Sequence, residues 1–127
     1  MISPEEFMQN YFSARTELYR EEIERRRPHR SIFFTQTCVY DSRNKTIEIS
    51  QNEKVLSITQ LDGEAEVITS GVALRGERMR MRYRLAPTAE GWRINRVNWE
   101  CRMCQATGKR KDRECFSCKG KGWWGGD

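Results

Sequence analysis

The sequence predicts an α+β protein: an N-terminal helix packed on a bent antiparallel sheet, followed by a small C-terminal zinc module. Three observations carry this reading. Phe7, Tyr11, Ala14 and Leu18 recur at helical spacing near the start of the chain. From residue 31 onward the pattern changes to short β-branched and aromatic runs separated by turn residues. Near the end, Cys101-x-x-Cys104 and Cys115-x-x-Cys118 form two metal-type pairs. A chain of 127 residues suffices for one domain with an appendage. The boundaries read as 1–99 for the α+β domain and 100–127 for the zinc module and tail.

Each element has its own signal. Ser3 can cap the helix, Pro4 suits its first position, and Glu6 completes a capping box. Met8, Phe12, Tyr19 and Ile23 flank the apolar stripe, and Pro28 ends the helix. Residues 31–40 are β-branched and aromatic and read as the first strand. Further strands are expected near 45–50, 54–61, 64–74, 79–85 and 92–99. Asp62-Gly63 marks a hairpin turn, and residues 75–78 a second one. Such short turns make successive strands antiparallel neighbours.

Two strands show more. Met79, Met81, Tyr83 and Leu85 alternate with Arg80, Arg82 and Arg84, which predicts one apolar and one basic face. In the last run Trp92 and Ile94 share one parity while Val97 and Trp99 share the other. A bulge near Asn95–Arg96 would bring all four to the same face. That strand runs straight into Cys101, so the cysteine module follows a core strand with almost no linker.

The four cysteines supply a tetrahedral thiolate shell with no open position, the arrangement of one structural Zn²⁺. Two other chemistries fit the pattern less well. A redox pair usually sits in a βαβ context, which the pattern lacks. Disulfides belong to oxidising compartments, whereas the N-terminus shows no signal-peptide pattern and no apolar run approaches membrane length. The protein is therefore expected to be cytoplasmic, with no membrane partner. Cys38 lies in an apolar run and reads as a small buried hydrophobe.

The formal net charge is +5. Residues 1–100 contribute 16 basic and 15 acidic side chains, and residues 101–127 contribute seven basic and three acidic ones. A zinc ion held by four thiolates is a doubly negative centre, so part of the tail's basic character offsets the metal site. No catalytic grouping is discernible. His29 stands among arginines, and Glu48, Asp62, Glu64 and Glu66 fall at turn or strand positions expected to be solvated.

The second knuckle reads Cys115-Phe116-Ser117-Cys118-Lys119-Gly120-Lys121-Gly122, and the first repeats its frame through Gly108 with Ala106 at the first glycine position. This repeat resembles the cysteine-rich zinc domain of DnaJ-type chaperones over residues 100–122, with half of that family's repeats. The J-domain His-Pro-Asp signature is absent, so co-chaperone activity is not carried over. Residues 4–99, chiefly Gly91-Trp92-Arg93-Ile94 and the Met79–Leu85 alternation, are similar to the nuclear transport factor 2-like fold. With a single leading helix, that resemblance implies a small or open pocket. It also implies a choice among enzymes, ligand-binding domains, dimerisation modules and immunity proteins of bacterial toxin systems.

The functional expectation is a non-catalytic, zinc-binding protein-interaction module, of immunity or scaffold type. Arg80, Arg82, Arg84, Trp123 and Trp124 are its candidate partner-binding residues. The alternative is nucleic-acid binding through the basic strand, the Lys109–Arg113 loop and the two tryptophans. A small-molecule-binding or enzymatic role stands behind both. The oligomeric state is left open, a homodimer included.

Overall fold

The computed structural model describes residues 2–23, 30–38, 52–72, 76 and 78–125. Helix α1 (Pro4–Ile23) precedes a short α2 (Arg30–Phe33) and four long strands: β1 (Lys54–Leu61), β2 (Glu64–Val72), β3 (Arg78–Thr88) and β4 (Gly91–Glu100). A two-stranded hairpin, β5 (Lys109–Arg110) and β6 (Arg113–Glu114), and a last strand β7 (Trp123–Gly125) complete the described elements. The main sheet has the order β1-β2-β3-β4-β7, antiparallel throughout. Among the described residues no helix is long and apolar enough to cross a membrane.

The start of α1 follows its sequence signal. The Glu6 amide donates to Ser3 Oγ at 3.1 Å and the Phe7 amide to the Ser3 carbonyl at 2.9 Å, satisfying donors that a helix start leaves unpaired. Phe7, Met8 and Tyr11 are buried against the sheet. One turn further on, the buried position is Arg15, while Ala14 is half-buried.

Arg15 is buried because a carboxylate waits for it. Its Nη1 lies 2.5 Å from Glu53 Oε1, and the Glu53 side chain is fully enclosed. The other carboxylate oxygen accepts from Tyr83 OH at 2.7 Å and from Thr69 Oγ1. The Arg15 guanidinium also lies over the Phe12 ring at 4.9 Å. Burial alone would lower the Arg15 pKa, but Tyr83 and Glu53 outweigh it and raise it. The ion pair therefore persists inside the core and ties α1 to β2 and β3.

Residues 31–38, the described part of the expected strand at 31–40, depart from that expectation. They open with α2, and among the described residues of this segment only Phe34 bridges the sheet, parallel to Ile94. The reason lies in two adjacent aromatics. Phe33 packs at 5.6 Å from Tyr11, and Phe34 meets the same ring edge-on at 5.5 Å. A strand would send neighbouring side chains to opposite faces, so both reach one core only from a turn of helix. Cys38 is buried in that core, as expected. The expected strand at 45–50, Glu48, His29 and the helix end at Pro28 lie outside the described residues.

In β3 the alternation holds: Met79, Met81, Tyr83 and Leu85 are buried and the intervening arginines are half-exposed. The bulge in β4 is also present. Arg84 pairs with Arg96 while Leu85 pairs with Ile94, so Asn95 is the extra residue. Trp92, Ile94 and Val97 consequently share the buried face, with Trp99 packed against the same core. Asn95 turns this irregularity into a fastening, since Thr35 Oγ1 donates to its Oδ1 at 2.8 Å.

Replacing Arg15 by leucine strands the Glu53 carboxylate in the core, so Arg15→Leu is expected to cost about 3–5 kcal/mol. Urea unfolding followed by far-UV circular dichroism checks this. A change below about 1 kcal/mol would show that the pair contributes little.

Candidate metal centre and the sheet face beside it

The two cysteine knuckles have the same backbone. Gln105, Ala106 and Gly108 take φ values of 53°, 67° and 77°, and the equivalent Lys119, Gly120 and Gly122 take 55°, 78° and 81°. Each knuckle closes with matching bonds. The Thr107 amide donates to the Cys104 carbonyl at 3.1 Å, and the Lys121 amide to the Cys118 carbonyl at 3.2 Å.

The knuckles also hold each other. The Cys101 amide donates to the Gly122 carbonyl at 2.9 Å, and the Cys115 amide to the Gly108 carbonyl at 2.8 Å. At these contacts the chains approach so closely that a Cβ on Gly108 would stand 2.4 Å from the Gly120 carbonyl oxygen. One on Gly122 would stand 2.6 Å from that of Ala106. The exchange is reciprocal, as a local two-fold axis requires. Only glycine fits, for space as well as for φ.

Four buried sulfurs converge at this axis, all within 4.8 Å of one another. Cys101 Sγ and Cys115 Sγ are 3.9 Å apart, and Cys104 Sγ and Cys118 Sγ are 3.6 Å apart. Disulfide-bonded sulfurs would be about 2.05 Å apart. Four sulfurs each about 2.3 Å from a central ion would be about 3.8 Å apart. The cluster therefore fits one tetrahedral metal ion, and none of the five cysteines is in a disulfide.

Backbone amides complete the shell. Gly108 N–H donates to Cys104 Sγ at 3.3 Å and Gly122 N–H to Cys118 Sγ at 3.1 Å, spreading thiolate charge onto the knuckle. Without metal the thiols are unequal. Burial works to raise the Cys101 pKa, but the amides of Cys104 and Met103 outweigh it and hold the thiol down to about 6. Burial, with the neighbouring sulfurs, pushes Cys118 up to about 11.

Residues 123–125 are part of the main sheet. β7 returns to β4, pairing Glu100 with Trp123, Trp99 with Trp124, and Asn98 with Gly125. The Asn98 side chain also donates to the Trp124 carbonyl at 3.2 Å. The module is thus tied to the sheet at both ends. Trp123 is half-buried under the Arg82 guanidinium, which lies 4.8 Å from its ring centroid, while Trp124 is more exposed.

Each arginine of the β3 stripe is engaged across its own row of the sheet. Arg80 Nε and Nη2 both donate to Glu100 Oε2, at 3.2 and 3.1 Å, and Nη2 reaches the Gln105 carbonyl at 2.8 Å. Arg82 donates to Asn98 Oδ1 at 3.2 Å, and its pKa is lowered, first by burial and then by Arg84 and Arg96, with Glu66 opposing. Arg84 pairs with Glu66 at 3.2 Å and Glu64 at 3.8 Å. The basic face expected from alternation is largely a set of internal pairs, and Glu64 and Glu66 serve it.

Spacing reveals neither the enclosed carboxylate nor the grooves on the surface. Glu53 is the carboxylate enclosed by the core, and nothing in its neighbourhood in the sequence marks it. An open groove of about 640 Å³ also lies where the first knuckle meets the sheet, lined by Leu56, Arg78, Arg80, Glu100, Arg102 and Gln105 among others. A second groove of about 530 Å³ lies between residues 32–37 and the β3–β4 turn. Compared with family models, with curated proteins and with solved structures, the chain gives no match.

The glycine contacts generate a paired expectation. Gly108→Ala and Gly122→Ala drive a methyl group into the opposite knuckle's carbonyl and should abolish stable metal retention. Ala106→Gly, which relieves a left-handed alanine, should tighten retention by about 1 kcal/mol, roughly fivefold. Competition against a chromogenic chelator reads all three. Retention unchanged in both Gly→Ala variants would show that the knuckles do not depend on their mutual approach.

Proposed function

We propose that the chain is a non-catalytic protein-interaction module whose binding surface is stapled by one structural Zn²⁺. For the metal, four thiolates without a carboxylate or imidazole suit zinc, and the burial of every ligand leaves no position for substrate water. For the function, the observation that carries the reading is the exposure of Phe116. Its neighbour Cys115 is fully buried, yet the Phe116 ring is 76% exposed, and Met103 on the other knuckle is 46% exposed. Large apolar side chains presented to water from a rigid, crosslinked turn suit a protein contact.

The arginine stripe supports a protein partner over a nucleic acid, because its charges already have internal partners. A specific observation keeps the nucleic-acid alternative alive. The β5–β6 hairpin exposes Lys109, Arg110, Lys111 and Arg113 around a turn with φ of 50° and 64° at Lys111 and Asp112. Against an enzyme, both Glu53 oxygens are occupied by Arg15, Thr69 and Tyr83, and Glu53 lines neither groove. The nuclear transport factor 2-like and DnaJ-type resemblances belong to the same proposal. The helix followed by a bulged antiparallel sheet supports the first, and the matched knuckles support the second. Within them, an immunity-type or scaffold role is the reading we favour.

Native mass spectrometry of reduced protein is expected to show one zinc per chain, lost on chelation. An iron-loaded or metal-free species would refute the assignment. Capture from nuclease-treated lysate near physiological salt should retain one predominant protein, and Phe116→Ser should lose it. Retention of nucleic acid alone, falling steeply with salt, would favour the alternative instead.

A further inference from the structure

The groove beside the first knuckle has a composition that neither the sheet nor the metal requires. Its floor is the cross-strand row in which Ser70, Arg80 and Glu100 stand opposite one another on β2, β3 and β4. One wall comes from the knuckle, through Arg102 and Gln105, and Arg78 lies at the start of β3. The other wall is Leu56. Val55 pairs with Thr69 and Ser57 with Ile68, so Leu56 is the extra residue of a bulge in β1 and is 57% exposed. Bulges commonly re-aim a side chain, and this one supplies the groove's apolar edge.

The charges are unbalanced. Among the residues that line the groove, Arg78, Arg80 and Arg102 stand beside one acid, Glu100, and Arg80 engages both oxygens of that acid, through its amide at 2.8 Å and its guanidinium. This grip, with the Gln105 carbonyl, holds the Arg80 guanidinium in place. Its Nη1 has no partner among the described residues, and the side chain is 40% exposed. A guanidinium fixed this way binds an anion with little loss of freedom. Among the described residues Arg78 makes a long 3.4 Å contact with Ser70 Oγ, and Arg102, which has an interaction of its own, is exposed.

We infer that this groove binds an acidic segment of a protein partner, with carboxylates on Arg78, Arg80 and Arg102 and an apolar residue on Leu56. The inference rests on the interaction reading above and gives that partner a chemistry. A nucleic-acid strand fits less well. Its evenly spaced phosphates need a continuing basic track, but the next rows of the sheet are occupied by Arg82 with Asn98 and Arg84 with Glu66. The Leu56 wall also offers a phosphate nothing. Because Arg102 and Gln105 belong to the knuckle, the groove exists only while the knuckle is folded.

The test uses the metal-loaded full chain and fluorescence anisotropy near physiological salt. The probes are a short labelled peptide of glutamate and leucine, the same peptide with lysine for glutamate, and an oligothymidylate of equal length. The acidic peptide should bind, the basic one should not, and oligothymidylate should bind more weakly. Arg78→Ala with Arg102→Ala should weaken acidic-peptide binding at least about tenfold with zinc content unchanged. Arg110→Ala with Lys111→Ala on the hairpin should leave it unaltered, and chelation should abolish it. The proposal is overturned if wild-type protein ignores the acidic peptide, if the groove variant binds it equally, or if oligothymidylate binds best and is the ligand lost in that variant. If the groove variant still captures the cellular partner through Phe116, only the groove assignment fails and the interaction reading stands.

Discussion

Residues 101–122 hold almost no apolar material of their own, and their shape depends on two knuckles gripping each other across four sulfurs. The buried cluster there consists of the cysteines alone. A segment of this size cannot bury enough surface to offset its ordering entropy, and the sulfur cluster, which fits one metal ion, stands where a core would. The reciprocal bonds between Cys101 and Gly122 and between Cys115 and Gly108 then set where the chain leaves the module. It leaves beside β4, and β7 forms there.

That closure shapes the neighbouring sheet face. Glu100, the last residue of β4, is gripped by Arg80, which also bonds the knuckle through the Gln105 carbonyl. Trp123, the first residue of β7, is covered by Arg82. Two of the three stripe arginines therefore fasten the metal module to the sheet. The module's own exposed basic side chains include Lys109, Arg110, Lys111 and Arg113 on the hairpin and Arg102 on the groove wall.

The opposite face follows a different logic. A core built on Met8, Tyr11, Tyr83 and Ile94 encloses one ion pair, Arg15–Glu53, with two hydroxyls completing the carboxylate's bonds. Every oxygen of that carboxylate is satisfied, so the pair fixes how α1 sits on the sheet. A fully bonded, enclosed carboxylate is poorly placed to act on a substrate.

Much of this was written locally. The Ser3 cap, the Asp62-Gly63 turn, the β3 alternation, the β4 bulge and the four metal-type cysteines each depend on residues close together in sequence, where period, propensity and spacing are sufficient. The failures share a cause as well. Residues 31–40 have strand-like composition, yet the demand that Phe33 and Phe34 reach one core imposed α2. The arginine stripe reads as a free basic face because Glu100, Asn98 and Glu66 become its partners only through register. Arg15 in the core, Glu53 beneath it and the groove under the first knuckle lie equally beyond a one-dimensional reading. Sequence determined α1, the β1–β4 strands and the metal-type cysteine pairs, since those follow from short-range geometry. Which charges are neutralised and which remain for a partner was decided by pairing across strands, which only the tertiary structure supplies.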